Sequence, residues 1–488
     1  MRGRNVSPPV MDWEAIFRRP VRYPSPDHRW SVGNKNRTFS SMTPPLPRHP
    51  QNPRAAAGCA GTAGPLHSFF HRRLHHYQQR ERMAMIRLPL AAALFGSILM
   101  AGLPAMAATP MKIGAILSLS GALEDYGAAT RNAAELAVAQ INAAGGVLGQ
   151  PLALNIADDR SDAQGAVEAA HKLAGSEKVN AFLGPMSSAA YLAVAGTVAI
   201  PGGLPVVSPS ATAASIDSLD GKGLIFRLAP SDLLQGAALA QVARDKSYRA
   251  VGVVYPDNDY GKGLADSFGK AFAKQGGKVT AAVPFDPKQA GSRGEVKAAA
   301  GGRAEALLVI GYPVNGAILL KQALDGGLFN KFLLSDGLKD PSLIEAVGGQ
   351  FLDGVSGATA APAPDAEGFV AFQKIYAGKY GDSSPVPYVD RAYDGVMLLA
   401  LAAERAKSTE GAKLKDALRD VAGPSGEAIG PGDFAKAKQM IAQGKKISYA
   451  GAAGPYGFDA HGGVSGSFAH WQIQDGKFET VRVFTPKP

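Results

Sequence analysis

From residue 112 onward, short runs rich in β-branched and apolar residues alternate with segments whose apolar positions recur every three or four residues. KIGAILS (112–118) reads as a strand, and the next segment sets Ala133, Leu136, Ala137, Ile141 and Ala144 on one helical face before Gly145-Gly146 ends it. LALNIAD (152–158) is the next strand. Ser161 and Gln164 then form a capping-box pattern ahead of a helix carrying Val167, Ala170 and Ala174. NAFLG and LPVVS (204–208) add two more strands. A second series follows IFRLAPSD, with Ser231 as the expected cap of a helix bearing Leu234, Ala238 and Val242, then strands AVGVVY (250–255), VTAAVPF (279–285), EALLVIG (305–311) and KFLLS (331–335). Residues 362–422 read as mostly helical, and HWQIQDGKFETVRVF reads as a hairpin turning at Asp475-Gly476. No short-period repeat interrupts the pattern. The alternation predicts an α/β protein of two tandem units, each a parallel sheet wound on both faces by helices.

The region before residue 112 behaves differently. Residues 1–82 are rich in Pro, Arg and His without apolar periodicity and are expected to be a disordered extension. Residues 83–107 pair Arg87 with an apolar stretch from Leu88 to Leu103 and the small-residue site Ala105-Met106-Ala107, the pattern of a secretory signal peptide. That stretch falls short of the about 20 apolar residues a spanning helix needs and is broken by Pro89, Gly96, Ser97 and Gly102. Because such signals are read at a protein's start, translation is expected to begin at Met83 or Met85, with residues 1–82 untranslated.

Composition changes the picture once charge is located. The formal net charge is +10, but residues 1–107 hold 15 Lys and Arg against 4 Asp and Glu, so the remainder carries −1. A nucleic-acid surface is not expected from a body so nearly neutral. The single cysteine, Cys59, lies in the first tract, which excludes disulfides, thiol catalysis, thiolate metal sites and a lipidated cysteine from the expected exported chain.

Parallel sheets bind ligands beyond the carboxyl ends of their strands, which directs attention to 118–126, 184–188, 208–212, 255–260, 311–312 and 335–337. At GPMSSA, Ser187 and Ser188 sit where a strand gives way to a helix, and three readings compete: a cap, a nucleophile or an anion holder. The nucleophile elbow G-x-S-x-G is absent, and His171, His461 and His470, the histidines after residue 107, all read as surface residues. An anion would use unpaired N–H groups and a hydroxyl at a helix start; a plain N-cap needs no ligand. VVSPSAT (206–212) repeats the arrangement at the next strand exit, with Ala211 and Thr212 facing outward, while Asp336 in LLSDG follows a strand of the second series. Asp336 is either a turn residue or a cation holder. Donors on one side and a carboxylate on the other suit a zwitterion. DNDYGKG (257–263) fails the phosphate-loop pattern and leaves Asp259 as an expected cap; Asp158, Asp159 and Asp162 are explained by capping at Ser161 without a metal.

These stretches also carry a likeness. From Lys112 to about Phe484 the chain resembles the type I periplasmic solute-binding proteins of ABC importers, in particular the leucine/isoleucine/valine-binding family, through KIGAILSLSGALEDYG, DDRSDAQGAVEAAHKL, FLGPMSSA, VVSPSAT, YPDNDYGKGLA and AYDGV in matching order. The resemblance implies two doubly wound parallel-sheet lobes joined by three crossovers, with 108–229 and 362–463 in lobe 1 and 230–361 and 464–488 in lobe 2. It implies that Ser188 binds a ligand carboxylate, and that Ala211 and Thr212 share that carboxylate and reach an ammonium group through a carbonyl and a hydroxyl. It also implies that Asp336 holds the ammonium, that Tyr126, Tyr260 and Tyr312 line the cleft, and that Tyr393 lies near the hinge. The implied protein is a soluble periplasmic monomer without cofactor or metal, capturing an amino acid, branched-chain type favoured, for an ABC permease and its ATPase. Relatives that take amides, urea or aromatic acids, or that serve signalling receptors, supply the alternatives; an amidohydrolase is disfavoured. Asp336 is one methylene shorter than the glutamate of some relatives, and the disulfide of others is missing.

Overall fold

The computed structural model describes residues 109–289, 293–381 and 386–487. The expected extension (1–82) and signal peptide (83–107) lie outside the described residues. Strands β1 (Lys112–Leu117), β2 (Ala153–Asp158), β3 (Ala181–Leu183), β4 (Val206–Ser208) and β5 (Ile225–Arg227) form one all-parallel sheet in the order β2-β1-β3-β4-β5. Strands β6 (Ala250–Pro256), β7 (Lys278–Phe285), β8 (Ala306–Val309), β9 (Phe332–Leu334) and β10 (Ser356–Ala360) form the parallel part of a second, ordered β7-β6-β8-β9-β10. A small third sheet joins β11 (Glu427–Ile429), β12 (Ile447–Gly451) and β13 (Gly454–Pro455). The hairpin β14 (Phe468–Gln474) and β15 (Lys477–Phe484) then returns to the second sheet, antiparallel beside β10.

Each parallel sheet starts at an inner strand, winds outward to one neighbour, and crosses back to the other side of its starting strand. That reversal opens a crevice at the carboxyl ends of β1 and β3 in one lobe and of β6 and β8 in the other. The chain passes between the lobes three times, after β5, after β10 and before β14, and segments of all three passages line one cavity. The doubly wound, three-crossover architecture expected from the sequence is the one observed.

Local chemistry explains most elements. After Lys112 every residue of β1 is buried, as befits an inner parallel strand covered on both faces. The helix Val389–Ala406 is buried along nearly its whole length because it packs inside lobe 1 against the helix Glu124–Ala143, and the charged Asp390, Arg391 and Asp394 are buried with it. Asp475 and Gly476 both take positive φ, the conformation a two-residue hairpin turn requires. Among the described residues no helix is long and apolar enough to cross a membrane.

Several local expectations are corrected. The cap of the helix Ala163–Lys172 is Asp162, which accepts from the Gly165 N–H, not Ser161; the Ser161 hydroxyl instead donates to the Ser120 carbonyl. The helix Asp259–Lys274 is capped by Asn258, with Asp259 its first residue. His470 is buried in β14 rather than on the surface, and burial lowers its pKa. Tyr393 lies in the lobe 1 core, its hydroxyl donating to Gln140 and accepting from the Gly432 N–H, and not at the hinge. Strands β5, β10 and the third sheet were not expected. SGATA at β10 holds a single β-former, Thr359, and at Gly357 its neighbours leave no room: a Cβ there would stand 2.2 Å from the Trp471 ring and 2.5 Å from the Leu334 carbonyl oxygen.

Candidate ligand-binding site

Six of the seven residues singled out from the sequence line one cavity between the lobes. Tyr126, Ser188 and Thr212 reach it from lobe 1, and Tyr260, Tyr312 and Asp336 from lobe 2. Ala211 is not on that wall; it is fully buried behind it, its N–H donating to the Ser208 hydroxyl. A larger cavity of about 180 Å³ opens beside the crossovers, but Ser188, Thr212 and Asp336 do not face it.

On the lobe 1 side, the competition at GPMSSA resolves between two residues. Ser187 is the cap, its Oγ accepting from the Ala190 N–H at 3.3 Å. Ser188 is the first helical residue, and its Oγ accepts from the N–H groups of both Thr212 and Ala213 at 3.1 Å. Two accepted bonds occupy both lone pairs of a hydroxyl, so the Ser188 hydrogen is the group left for the cavity. The Thr212 backbone is equally committed: its carbonyl accepts from the Asp232 N–H at 2.8 Å and from the Arg227 guanidinium at 3.2 Å. This wall offers a ligand the hydroxyls of Ser187, Ser188 and Thr212 and helix-start N–H groups, while the Ser210 hydroxyl donates to the Met186 carbonyl; the set favours an anion.

The strand exit that carries Ser188 tolerates no side chain at Gly184. Its φ is +88°, and a Cβ there would lie 2.2 Å from the Ile116 carbonyl oxygen. Gly184→Ala is expected to destabilise the fold by more than about 1 kcal/mol and to weaken ligand binding by displacing Ser187 and Ser188; thermal melting and titration calorimetry read the two effects.

On the lobe 2 side, Asp336 is 3% exposed and opens a short 3₁₀ turn after β9. Its Oδ1 accepts from Gln235 Nε2 and the Tyr260 hydroxyl, and its Oδ2 from the Tyr388 hydroxyl, each at 2.6 Å. Burial first, and the Asp336 charge second, hold the Tyr260 and Tyr388 hydroxyls well above the ordinary tyrosine pKa, so both remain donors. A carboxylate has about four acceptor positions; three are filled, and the one remaining on Oδ2 can take an N–H from a cation. Tyr260 and Tyr312 stack with centroids 5.6 Å apart, forming an aromatic wall beside it. From lobe 1, the Tyr126 hydroxyl donates to the Lys339 carbonyl at 3.3 Å, and so ties the lobes together across the cavity.

Tyr388 and Gln235 were missed by sequence reasoning. Tyr388 precedes the long buried helix with φ of 70°, and Gln235 lies one turn into the helix Asp232–Asp245; neither sits at a strand exit. Among the described residues no histidine lines the cavity: His171 and His461 are exposed elsewhere and His470 is in β14. Asp158, Asp159 and Asp162 spend oxygens on the N–H groups of Leu119, Arg160, Ser161 and Gly165, and among the described residues no cluster of His, Cys, Asp and Glu is arranged to hold a metal ion.

Two doubly wound lobes, three crossovers and a cavity between facing strand exits define a type I solute-binding fold. A profile of the periplasmic binding protein family matches residues 110–460. The chain is 28% identical over 357 residues to the chemotactic signal transduction system substrate-binding protein BasB of Halobacterium salinarum, covering 71% of this chain and 83% of that protein. It is 28% identical over 340 residues to the Leu/Ile/Val-binding protein BraC3 of Rhizobium johnstonii, covering 68% and 88%. The crystal structure of the leucine-binding protein LivK of Thermotoga maritima superposes with a TM-score of 0.67 at 26% identity, covering 77% of this chain and 99% of that one. The chain belongs to the periplasmic binding protein family, and its likenesses include Leu/Ile/Val-binding proteins. Members of this family are solute-binding proteins and not enzymes.

Proposed function

We propose that this protein captures a small amino acid, branched-chain type favoured, in the periplasm and delivers it in the closed form to an ABC permease and its ATPase. The carrying observation is the polarity of one cavity: the hydroxyls of Ser188 and Thr212 on the lobe 1 wall, that of Ser188 left as a donor, and the Asp336 carboxylate on the lobe 2 wall. A carboxylate on the ligand meets the first wall and an ammonium group the second, so only a molecule bearing both poles stabilises closure. Leu123, Tyr126, Met186 and Tyr312 supply an apolar surround for the side chain. The names of BraC3 and LivK support the branched-chain assignment. The name of BasB supports a second reading, in which the same closed form is presented to a signalling receptor.

Titration calorimetry with leucine, valine, phenylalanine and the matching deaminated acids tests the reading. Saturable binding of an amino acid with affinity in the micromolar range, worth about −8 kcal/mol, is expected, with much weaker binding of the deaminated acid. Preference for the deaminated acid would remove the ammonium role of Asp336.

A further inference from the structure

Asp232 is fully buried at the head of the helix Asp232–Asp245, and neither of its carboxyl oxygens meets a hydrogen-bond donor in good geometry; Gln235 Oε1, one turn along the same face, also lacks one. The Asp232 N–H donates to the Thr212 carbonyl at 2.8 Å, which brings the Asp232 carboxyl beside Thr212, a residue of the cavity wall that Asp232 itself does not line. The second carboxyl of this region, Asp336, collects three donors. Two carboxyl groups close together in a dehydrated site do not both ionise readily, and the one without donors keeps the proton.

We propose that Asp232 is a positioning residue that carries its proton in the closed site and donates it in a hydrogen bond to Thr212 Oγ, turning the Thr212 hydroxyl hydrogen into the cavity toward the ligand carboxylate. The proposal rests on the amino-acid reading above and adds the direction of the Thr212 hydroxyl to it. An ionised Asp232 would have the opposite effect, drawing the Thr212 hydrogen to itself and presenting an oxygen lone pair to the carboxylate. Burial, followed by the Asp336 charge, pushes the Asp232 carboxyl well up, and these outweigh the Thr212 hydroxyl beside it, which pulls the other way. The other charged or titratable groups facing it are Arg227, which opposes that shift, Asp217, which reinforces it, and the hydroxyls of Tyr260 and Tyr312. A raised pKa keeps the proton in place below its value, so carboxylate affinity is high there and falls as pH rises through it.

The test compares the purified wild type with Asp232→Asn and Asp232→Ala. Infrared spectra at neutral pH, with and without L-leucine, are expected to show the carbonyl stretch of a protonated carboxyl group that is missing from Asp232→Asn. In calorimetry across pH, the asparagine amide donates to Thr212 Oγ at every pH, so that variant is expected to bind L-leucine within about threefold of wild type with a flatter pH profile, whereas Asp232→Ala loses roughly tenfold or more. A missing carboxyl band overturns the proposal, as does an asparagine variant as weak as the alanine one or a pH profile unchanged from wild type. Thermal melts of both variants separate these outcomes from misfolding, which a purely structural role would produce without altering the pH profile. A wild type that shows the band but binds no amino acid sinks the amino-acid reading and leaves the protonated Asp232 standing.

Discussion

Asp336→Ala is expected to reduce amino-acid affinity below detection by ordinary calorimetry. On the proposed reading the substitution removes the charge that meets the ligand ammonium group, and it leaves the Tyr388 hydroxyl and Gln235 Nε2 without their acceptor; Tyr260 keeps a bond to Ser335 Oγ at 2.9 Å. Breaking a buried, hydrogen-bonded charge pair by deleting one partner costs about 3–5 kcal/mol, which is roughly two to three and a half orders of magnitude in affinity. Asp336→Asn keeps the shape and an acceptor for some of the donors but no charge, so it should fall between wild type and alanine. Melting temperatures distinguish lost recognition from lost fold, because the first leaves the unliganded melt nearly unchanged while removing the shift that ligand produces. An alanine variant that binds leucine within threefold of wild type would show that Asp336 does not hold the ammonium group.

The parts of this site that were legible in the sequence share a physical reason. Ser188, Thr212, Tyr260, Tyr312 and Asp336 each follow an apolar strand within a few residues, and the carboxyl ends of parallel strands all open on the same crevice. Sequence adjacency to a strand therefore translates directly into position. Tyr388, Gln235 and Asp232 lie on or before helices; packing within lobe 2 brings Gln235 to Asp336, and packing between the lobes brings Tyr388 to Asp336 and Asp232 to Thr212, none of which leaves a local trace. Ala211 shows the converse limit: its neighbour Thr212 faces the cavity, while Ala211 turns inward because Ser208 captures its N–H. At the helix starts, several capable residues stood side by side, and the backbone chose Asp162 over Ser161 and Asn258 over Asp259. Strand β10 was hidden because its small residues answer to the Trp471 ring and not to intrinsic strand preference.

The largest expected loss of stability lies away from the ligand, at Asp394. This residue is fully buried in the helix Val389–Ala406. Its Oδ1 accepts from the Tyr449 hydroxyl at 2.7 Å and the Ala452 N–H at 2.8 Å, and its Oδ2 from the Ala453 N–H at 2.9 Å and the Tyr456 hydroxyl at 2.5 Å. All four acceptor positions are used, and they fasten the turn between β12 and β13 to the central helix of lobe 1. Asp394→Ala strands four donors, at a cost of about 3–5 kcal/mol and a melting temperature lower by roughly 5–10 °C. The same carboxyl carries a pH signature, because burial pushes its pKa up to about 6 from 3.8, outweighing its donors. A folded-state pKa above the unfolded one means that the native protein holds the proton more tightly. The associated stabilisation is therefore complete below pH 3.8 and lost as pH rises through about 6. At about 1.4 kcal/mol per unit the swing is on the order of 3 kcal/mol. Asp159, also raised to about 6, contributes in the same window, so Asp394→Asn should flatten the dependence without abolishing it. Urea unfolding of wild type and Asp394→Asn between pH 4 and pH 7 makes the comparison, and parallel slopes for the two proteins would show that Asp394 stays ionised throughout, with its four donors outweighing its burial.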